Sequence, residues 1–208
     1  MNKILLIPGS FNPITNAHVD MALAAKKAVN ADIVYFIPAH DTYVAKKKTL
    51  IPGYCRVSLI NSMPNCEKDN IWALDIETTS FFPQRTYNTI TQLRDEAEKD
   101  YKFNEYYICL GMDNIKDLPA WYNWKPFVEE YQFVACVREG QKLETALQES
   151  GLMEYKDHFT EIRIPENHTS SSLVRNLCEK GEFDKVKQLV PENVYEYLIR
   201  FYDVMNRI

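Results

Sequence analysis

The sequence lacks what would tie the chain to a membrane, a polyanion or a disulfide scaffold. Its longest apolar runs, such as Ile4 to Ile7 and Val34 to Ile37, fall far short of the roughly 20 residues that a spanning helix needs. The first residues carry no secretory pattern, so the expectation is a cytoplasmic protein with no membrane partner. There is no basic tail or one-signed block, and the formal net charge is −5. Nothing therefore advertises a nucleic-acid backbone as partner, and any phosphate site must draw on local positive charge. The cysteines (Cys55, Cys66, Cys109, Cys136, Cys178) are odd in number and scattered, with no Cys-x-x-Cys pair. That argues against a disulfide framework or structural zinc and for core packing. Internal repeats, low-complexity tracts and long linkers are also missing, and 208 residues suffice for one substantial core. A single domain over 1–208 is expected.

What is present is an alternation. Short β-rich runs at Lys3–Pro8, Asp32–Ile37, Ile71–Asp75, Tyr106–Leu110, Gln132–Val137 and Glu161–Ile164 are interleaved with helical patterns. The helices are expected at Asn16–Val29, Tyr54–Met63, Thr89–Lys99, near Phe127–Glu130 and around Leu143–Glu149. This order implies an α/β fold, a Rossmann-like doubly wound parallel sheet covered by helices. The tail reads as helices only, Ser171–Lys180, Asp184–Leu189 and Pro191–Tyr202, and is expected to form a C-terminal helical cap from about 171 to 208. His40–Pro52 is the longest apparent loop and carries Lys46, Lys47 and Lys48 in a row. In such sheets ligands collect outside the carboxyl ends of the strands where strand order reverses. The loops after the first strand and after Tyr106–Leu110 are placed to meet one.

The first of these loops runs from Gly9 to His18. Gly9 permits close backbone approach, and the amides of Ser10 and Phe11 can face an anion. Thr15 or Asn16 can cap the following helix. His18 then falls in its first turn, where it and Thr15 could address a phosphate at the positive end of the helix dipole. The plainer alternative is a Gly-Ser turn with an N-cap and a histidine packed on the sheet.

Gly9-Ser10-Phe11-Asn12-Pro13 followed by Thr15-Asn16-Ala17-His18 resembles the nucleotidyltransferase signature Gly-x-Phe-x-Pro with (His or Thr)-x-Gly-His. Ala17 departs from the pattern's glycine, as in eukaryotic-type nicotinamide mononucleotide adenylyltransferases. Thr169-Ser170-Ser171-Ser172-Leu173-Val174-Arg175 is similar to the second signature, Ile-Ser-Ser-Thr-x-x-Arg. Serine hydroxyls and free amides opening a helix, with an arginine one turn along the same face, suit a polyphosphate. A serine cap beside a solvated arginine is the plainer alternative. Between the two signatures the chain resembles the nicotinamide/nicotinate mononucleotide adenylyltransferase family.

That resemblance implies a distribution of roles. Gly9, Ser10, Phe11, His18, Gly111, Asp113, Ser170, Ser171 and Arg175 would meet ATP, with Asp113 of Gly111-Met112-Asp113 on the ribose. Asn12, Tyr43, Lys47, Thr86, Tyr87, Thr89 and Trp121 would meet the mononucleotide. Trp121 would stack on the pyridine ring, Thr86 to Thr89 would receive its carboxylate or carboxamide, and Lys47 would hold its phosphate. The stretch Leu50-Ile51-Pro52 and Arg56 resembles the continuation of that phosphate-holding loop. Core packing is the expected role of Trp124. The implied reaction is attack of the mononucleotide phosphate on the α-phosphorus of ATP, with His18, Thr15 and Arg175 catalytic. An ionised phosphate nucleophile needs no strong base, which accounts for the missing carboxylate pair. Magnesium would arrive with ATP, without a protein cage. Exposed helices could support a homo-oligomer. The alternatives are a relative acting on phosphopantetheine, glycerol phosphate or FMN, and a catalytically silent nucleotide sensor.

Overall fold

The computed structural model describes residues 1–44, 50–164 and 169–205. Six strands, β1 (Asn2–Gly9), β2 (Ile33–Pro38), β3 (Ile71–Ala73), β4 (Asn104–Gly111), β5 (Gln132–Val137) and β6 (Phe159–Arg163), form one sheet of order β3-β2-β1-β4-β5-β6. The sheet is parallel and flanked by helices, and its order reverses between β1 and β4, the doubly wound arrangement expected from the alternation. By contact the chain divides into two compact units. The first comprises Met1–Pro8, Met21–Tyr35 and Gln84–Glu166; the second comprises Gly9–Asp20, Phe36–Pro83 and Asn167–Ile208.

In the first unit β1 pairs with β4, β4 with β5, and β5 with β6. Ile4 to Ile7, Tyr106 to Leu110 and Phe133 to Val137 are buried without a break. An unbroken apolar strand is what a sheet covered on both faces requires, since every side chain then meets a neighbour. β6 differs: Phe159 and Ile162 are buried while Thr160, Glu161 and Arg163 are exposed, the mark of an edge strand. Helix α1 (Asn16–Val29) buries Ala22, Ala25 and Val29, spaced to line one face.

Four further helices belong to this unit: α5 (Thr86–Lys99), α6 (Met112–Asp117), α7 (Trp124–Glu130) and α8 (Leu143–Glu149). Helix α5 starts three residues before the expected Thr89, because Thr89 N–H already donates to Arg85 O at 3.0 Å and closes a turn there. Helix α6 was not expected. It starts immediately after β4 and buries only Met112 and Ile115, too few positions to establish a helical period.

The second unit holds β3, α2 (Asp41–Val44), α3 (Gly53–Asn61), α4 (Cys66–Asp69), α9 (Ser171–Glu179), α10 (Phe183–Val186) and α11 (Glu192–Met205). Helix α11 buries Val194, Leu198 and Tyr202, one residue per turn on one face. The short helix α2 lies in the stretch expected to be a loop, and α4 falls between two expected elements. No helix among the described residues is long and apolar enough to cross a membrane.

Candidate active site

The loop after β1 turns on Phe11, whose φ of 42° lies in the left-handed region that residues with a Cβ seldom occupy. Its ring packs edge-on against His18 (5.3 Å between centroids) and Phe36 (4.9 Å). The same ring lies over Gly9, where a Cβ would stand 2.8 Å from Phe11 Cζ. The close approach that makes position 9 a glycine is thus made by a side chain of the protein's own loop.

Thr15 is fully buried and precedes the first residue of α1. Its amide donates to His18 Nδ1 at 3.0 Å, and its Oγ1 stands 2.8 Å from the same nitrogen. Thr15 O accepts from Val19 N, so Thr15 is the N-cap and His18 the third helical residue. A side chain there that accepts the N-cap amide is one arm of a capping box, with histidine in place of glutamate. That is why the two residues are three apart. A backbone amide can only donate, so Nδ1 presents its lone pair and the ring proton is assigned to Nε2.

Ser170 caps α9, its hydroxyl accepting from Leu173 N at 3.1 Å. Its neighbours reach back to the first loop. Ser171 Oγ donates to Pro13 O at 2.7 Å, and Arg175 Nη1 donates to Asn12 O at 2.5 Å. Arg175 Nη2 also donates to Ser172 Oγ at 2.9 Å. Burial pushes the Arg175 guanidinium below its ordinary value, while Tyr202 and then Glu179 act in the opposite direction. The structure thus brings together Gly9 to His18 and Ser170 to Arg175, 158 residues apart at the Ser171 contact. The caps of the plainer readings exist, but Arg175 is partly buried and bonded to Asn12 O, and the His18 ring packs on Phe11.

Two residues do more here than sequence suggested. Arg56, 1% exposed, donates from Nη1 to Ser10 O (2.7 Å), from Nε to Ile51 O (3.0 Å) and from Nη2 to Ala39 O (2.8 Å). Its Nη2 also pairs with Asp41 Oδ1 at 2.5 Å. Arg56 is therefore an internal clasp and not part of a surface that meets phosphate, as its likeness to the mononucleotide loop implied. Its spacing with buried Gly53, Leu59 and Ile60 was the available signal. Asn12 is fully buried, and its Oδ1 accepts from Ile51 N at 2.9 Å. Tyr43 is exposed on α2. Lys47 lies outside the described residues.

In the first unit, Gly111 is the N-cap of α6 and Asp113 stands exposed in its first turn. Trp121 is half-buried and stacked on Phe127 at 6.3 Å and 20°. Trp124 meets Tyr155 edge-on and is half-buried, outside the core in which it was expected. Thr86 opens α5, whose first turn contains no acidic residue and whose N-cap, Arg85, makes no side-chain cap. Tyr87 donates through its hydroxyl to Glu130 Oε1 at 3.1 Å. Glu130 Oε2 in turn accepts from Arg94 Nη1 at 2.8 Å. Thr89 is fully buried, with Oγ1 donating to Arg85 O at 3.3 Å, so its hydroxyl is directed into its own turn. No group of three His, Cys, Asp or Glu able to hold a metal occurs among the described residues.

The description of cytidylyltransferase-like proteins matches residues 6–177, which contain both signatures. The chain belongs to that family. A relative from Dehalococcoides mccartyi named "Probable nicotinate-nucleotide adenylyltransferase" is 30% identical over 197 residues, 94% of each chain. One of the same name from Bacillus anthracis is 28% identical over 200 residues, 96% of this chain and 97% of its own. This places the chain in the nicotinate/nicotinamide mononucleotide adenylyltransferase branch of the family. The solved structure "Plasmodium falciparum nicotinic acid mononucleotide adenylyltransferase complexed with APC" is 22% identical, covers 98% of both chains and superposes with a TM-score of 0.74. At that identity the likeness carries the fold. A nucleotidyltransferase activity follows from the family.

Proposed function

We propose that the protein transfers AMP from ATP to nicotinate mononucleotide, releasing pyrophosphate and forming the deamido dinucleotide of NAD biosynthesis. The carrying observation is that Thr15 holds His18 Nδ1 as an acceptor, which makes Nε2 a fixed N–H donor. Such a donor needs no reorganisation as charge grows on the α-phosphate, and it gives up no proton. Thr15 acts by holding that ring. The amides of Ser10 and Phe11 meet the phosphate chain, while Ser170, Ser171 and Arg175 receive the departing pyrophosphate. The mononucleotide 5′-phosphate attacks the α-phosphorus in line and the bond to the β-phosphate oxygen breaks, with no covalent enzyme intermediate.

In the first unit, Gly111 lets the ribose approach and Asp113 accepts its hydroxyls. Trp121 stacks on the pyridine ring, and Thr86, Tyr87 and Thr89 shape the start of α5. Asn12 holds the mononucleotide loop through Ile51, with Tyr43 and Lys47 serving its phosphate. Preference for nicotinate is supported by the names of the relatives and by the start of α5. A helix start without acidic residues or a side-chain cap offers amide donors and positive potential, favouring a carboxylate over a carboxamide. Magnesium would arrive with ATP: the amides of the loop and the Arg175 guanidinium suit oxyanions and not cations, and no group of three His, Cys, Asp or Glu able to hold a metal occurs among the described residues, so substrate and water would hold the ion. It would neutralise phosphate charge. The whole chain is proposed to act as one cytoplasmic nucleotidyltransferase domain, able to associate with its own kind.

Pyrophosphate release from ATP and magnesium, measured separately with each acceptor, tests this. Nicotinate mononucleotide should be the best acceptor, nicotinamide mononucleotide slower, and phosphopantetheine, glycerol phosphate and FMN inert. Trp121→Ala should raise KM for the mononucleotide more than for ATP. Release with a non-pyridine acceptor alone, or with none, would overturn the assignment.

A further inference from the structure

We propose that Arg56 is a positioning residue that aims the Phe11 amide at the phosphate chain of ATP. The Ser10 carbonyl and the Phe11 N–H belong to one trans peptide plane and point in opposite directions across it. By holding Ser10 O at 2.7 Å, Arg56 fixes the plane from one side and so fixes where the amide points on the other. Something must, because Phe11 sits at φ 42°, a conformation that persists only when its surroundings over-determine it.

The clasp is itself held. Asp41 Oδ1 meets Arg56 Nη2, and Asp41 Oδ2 accepts from Gly53 N at 3.3 Å, the first residue of the helix that carries Arg56. The remaining contacts, Ile51 O and Ala39 O, come from two other loops, so the planar fork is set in three directions at once. Its side chain has no exposure, and it therefore acts through the peptide and not on the substrate. Lysine keeps the charge but offers a single ammonium that cannot reproduce the fork.

The inference rests on the reading that the Ser10 and Phe11 amides meet phosphate, and the experiment separates the two. With 15N-phenylalanine labelling, and Phe11→Leu to assign the resonance, the full chain is titrated with ATP and magnesium without acceptor. The Phe11 amide should shift in the wild type. In Arg56→Lys the shift should shrink at least fivefold and kcat fall at least tenfold, with KM for the mononucleotide within about twofold. Asp41→Asn, which keeps the shape and weakens the anchor, should move both readings in the same direction and serves if Arg56→Lys does not fold.

Asn61→Ala is the stability control, since it loses two bonds to Ala73 in the same unit and should leave both readings unchanged in the folded protein. A wild-type shift in Arg56→Lys, or in Asp41→Asn where only that chain folds, with kcat falling only as the folded fraction falls, would overturn the role of Arg56. A silent Phe11 amide in the wild type, where Arg56 is intact, would overturn the phosphate reading and the inference with it.

Discussion

Under the proposed reading, His18 is the donor to the α-phosphate and Thr15, bonded to its Nδ1, is the group that orients it. Loss of the donor should be the larger effect, because a preorganised N–H on a developing charge contributes about 10²-fold in rate. His18→Ala is therefore expected to lower kcat by that order while the fold persists. Thr15→Val removes only Oγ1, leaves the amide bond to Nδ1 (3.0 Å) in place, and should cost about tenfold or less. Steady-state kinetics on both variants checks the ordering, and 15N shifts of the wild-type ring should report the proton on Nε2. Equal losses, or a ring protonated on Nδ1 in the neutral form, would show that Thr15 touches the substrate itself. Both residues were legible in sequence through their spacing. The spacing of Arg56 put it on the buried face of α3, but its partners were not legible, since a charged side chain among apolar neighbours gives no sign of which carbonyls it will find.

At the scale of the element, the glycines that end β1 and β4 separate two proposed reasons for the same residue. A Cβ on Gly9 meets the Phe11 ring at 2.8 Å, whereas one on Gly111 meets nothing within 4 Å. Gly9→Ala must displace a ring that packs on His18 and Phe36, and overpacking of this kind costs about 1–3 kcal/mol. A fall in thermal midpoint together with a fall in kcat is expected. Gly111→Ala, at φ −73°, should leave the midpoint unchanged and raise KM for ATP alone, the signature of a glycine kept for a ligand's approach. A stable, fully active Gly111→Ala would remove the ribose step from the proposal. The central strands β1, β4 and β5 were readable because parallel strands covered on both faces are continuous apolar runs. Helices α2, α4 and α6 were not, since one turn of chain carries too few buried positions to set a period.

For the whole molecule, buried thiols and phenols set the response to alkali. Burial, with a smaller contribution from Glu179, pushes the Cys178 thiol from 9.0 to about 11. Burial likewise raises Cys66 and Tyr131. The folded chain then keeps protons that the unfolded chain releases, so the stability these groups contribute is fully present below about pH 9 and is lost as pH rises through about 11. Urea midpoints at about pH 8 and about pH 10.5 should differ in that direction, and Cys178→Ala should flatten the difference. A midpoint that rises with pH across this window would contradict it.

The sequence by itself determined the parallel sheet, the order of its elements and the spacing of Thr15 with His18 and of the serines with Arg175, because these depend on local apolar patterning and on spacings within about one turn of helix. Only the tertiary structure decided that Ser171 and Arg175 bond the carbonyls of Pro13 and Asn12, that Gly9 answers to Phe11, and that Arg56 clasps three loops. The carbonyl contacts join residues far apart in the chain, and the Gly9–Phe11 approach depends on a left-handed turn at Phe11; no local pattern encodes which donor will meet which carbonyl once the backbone has closed on itself.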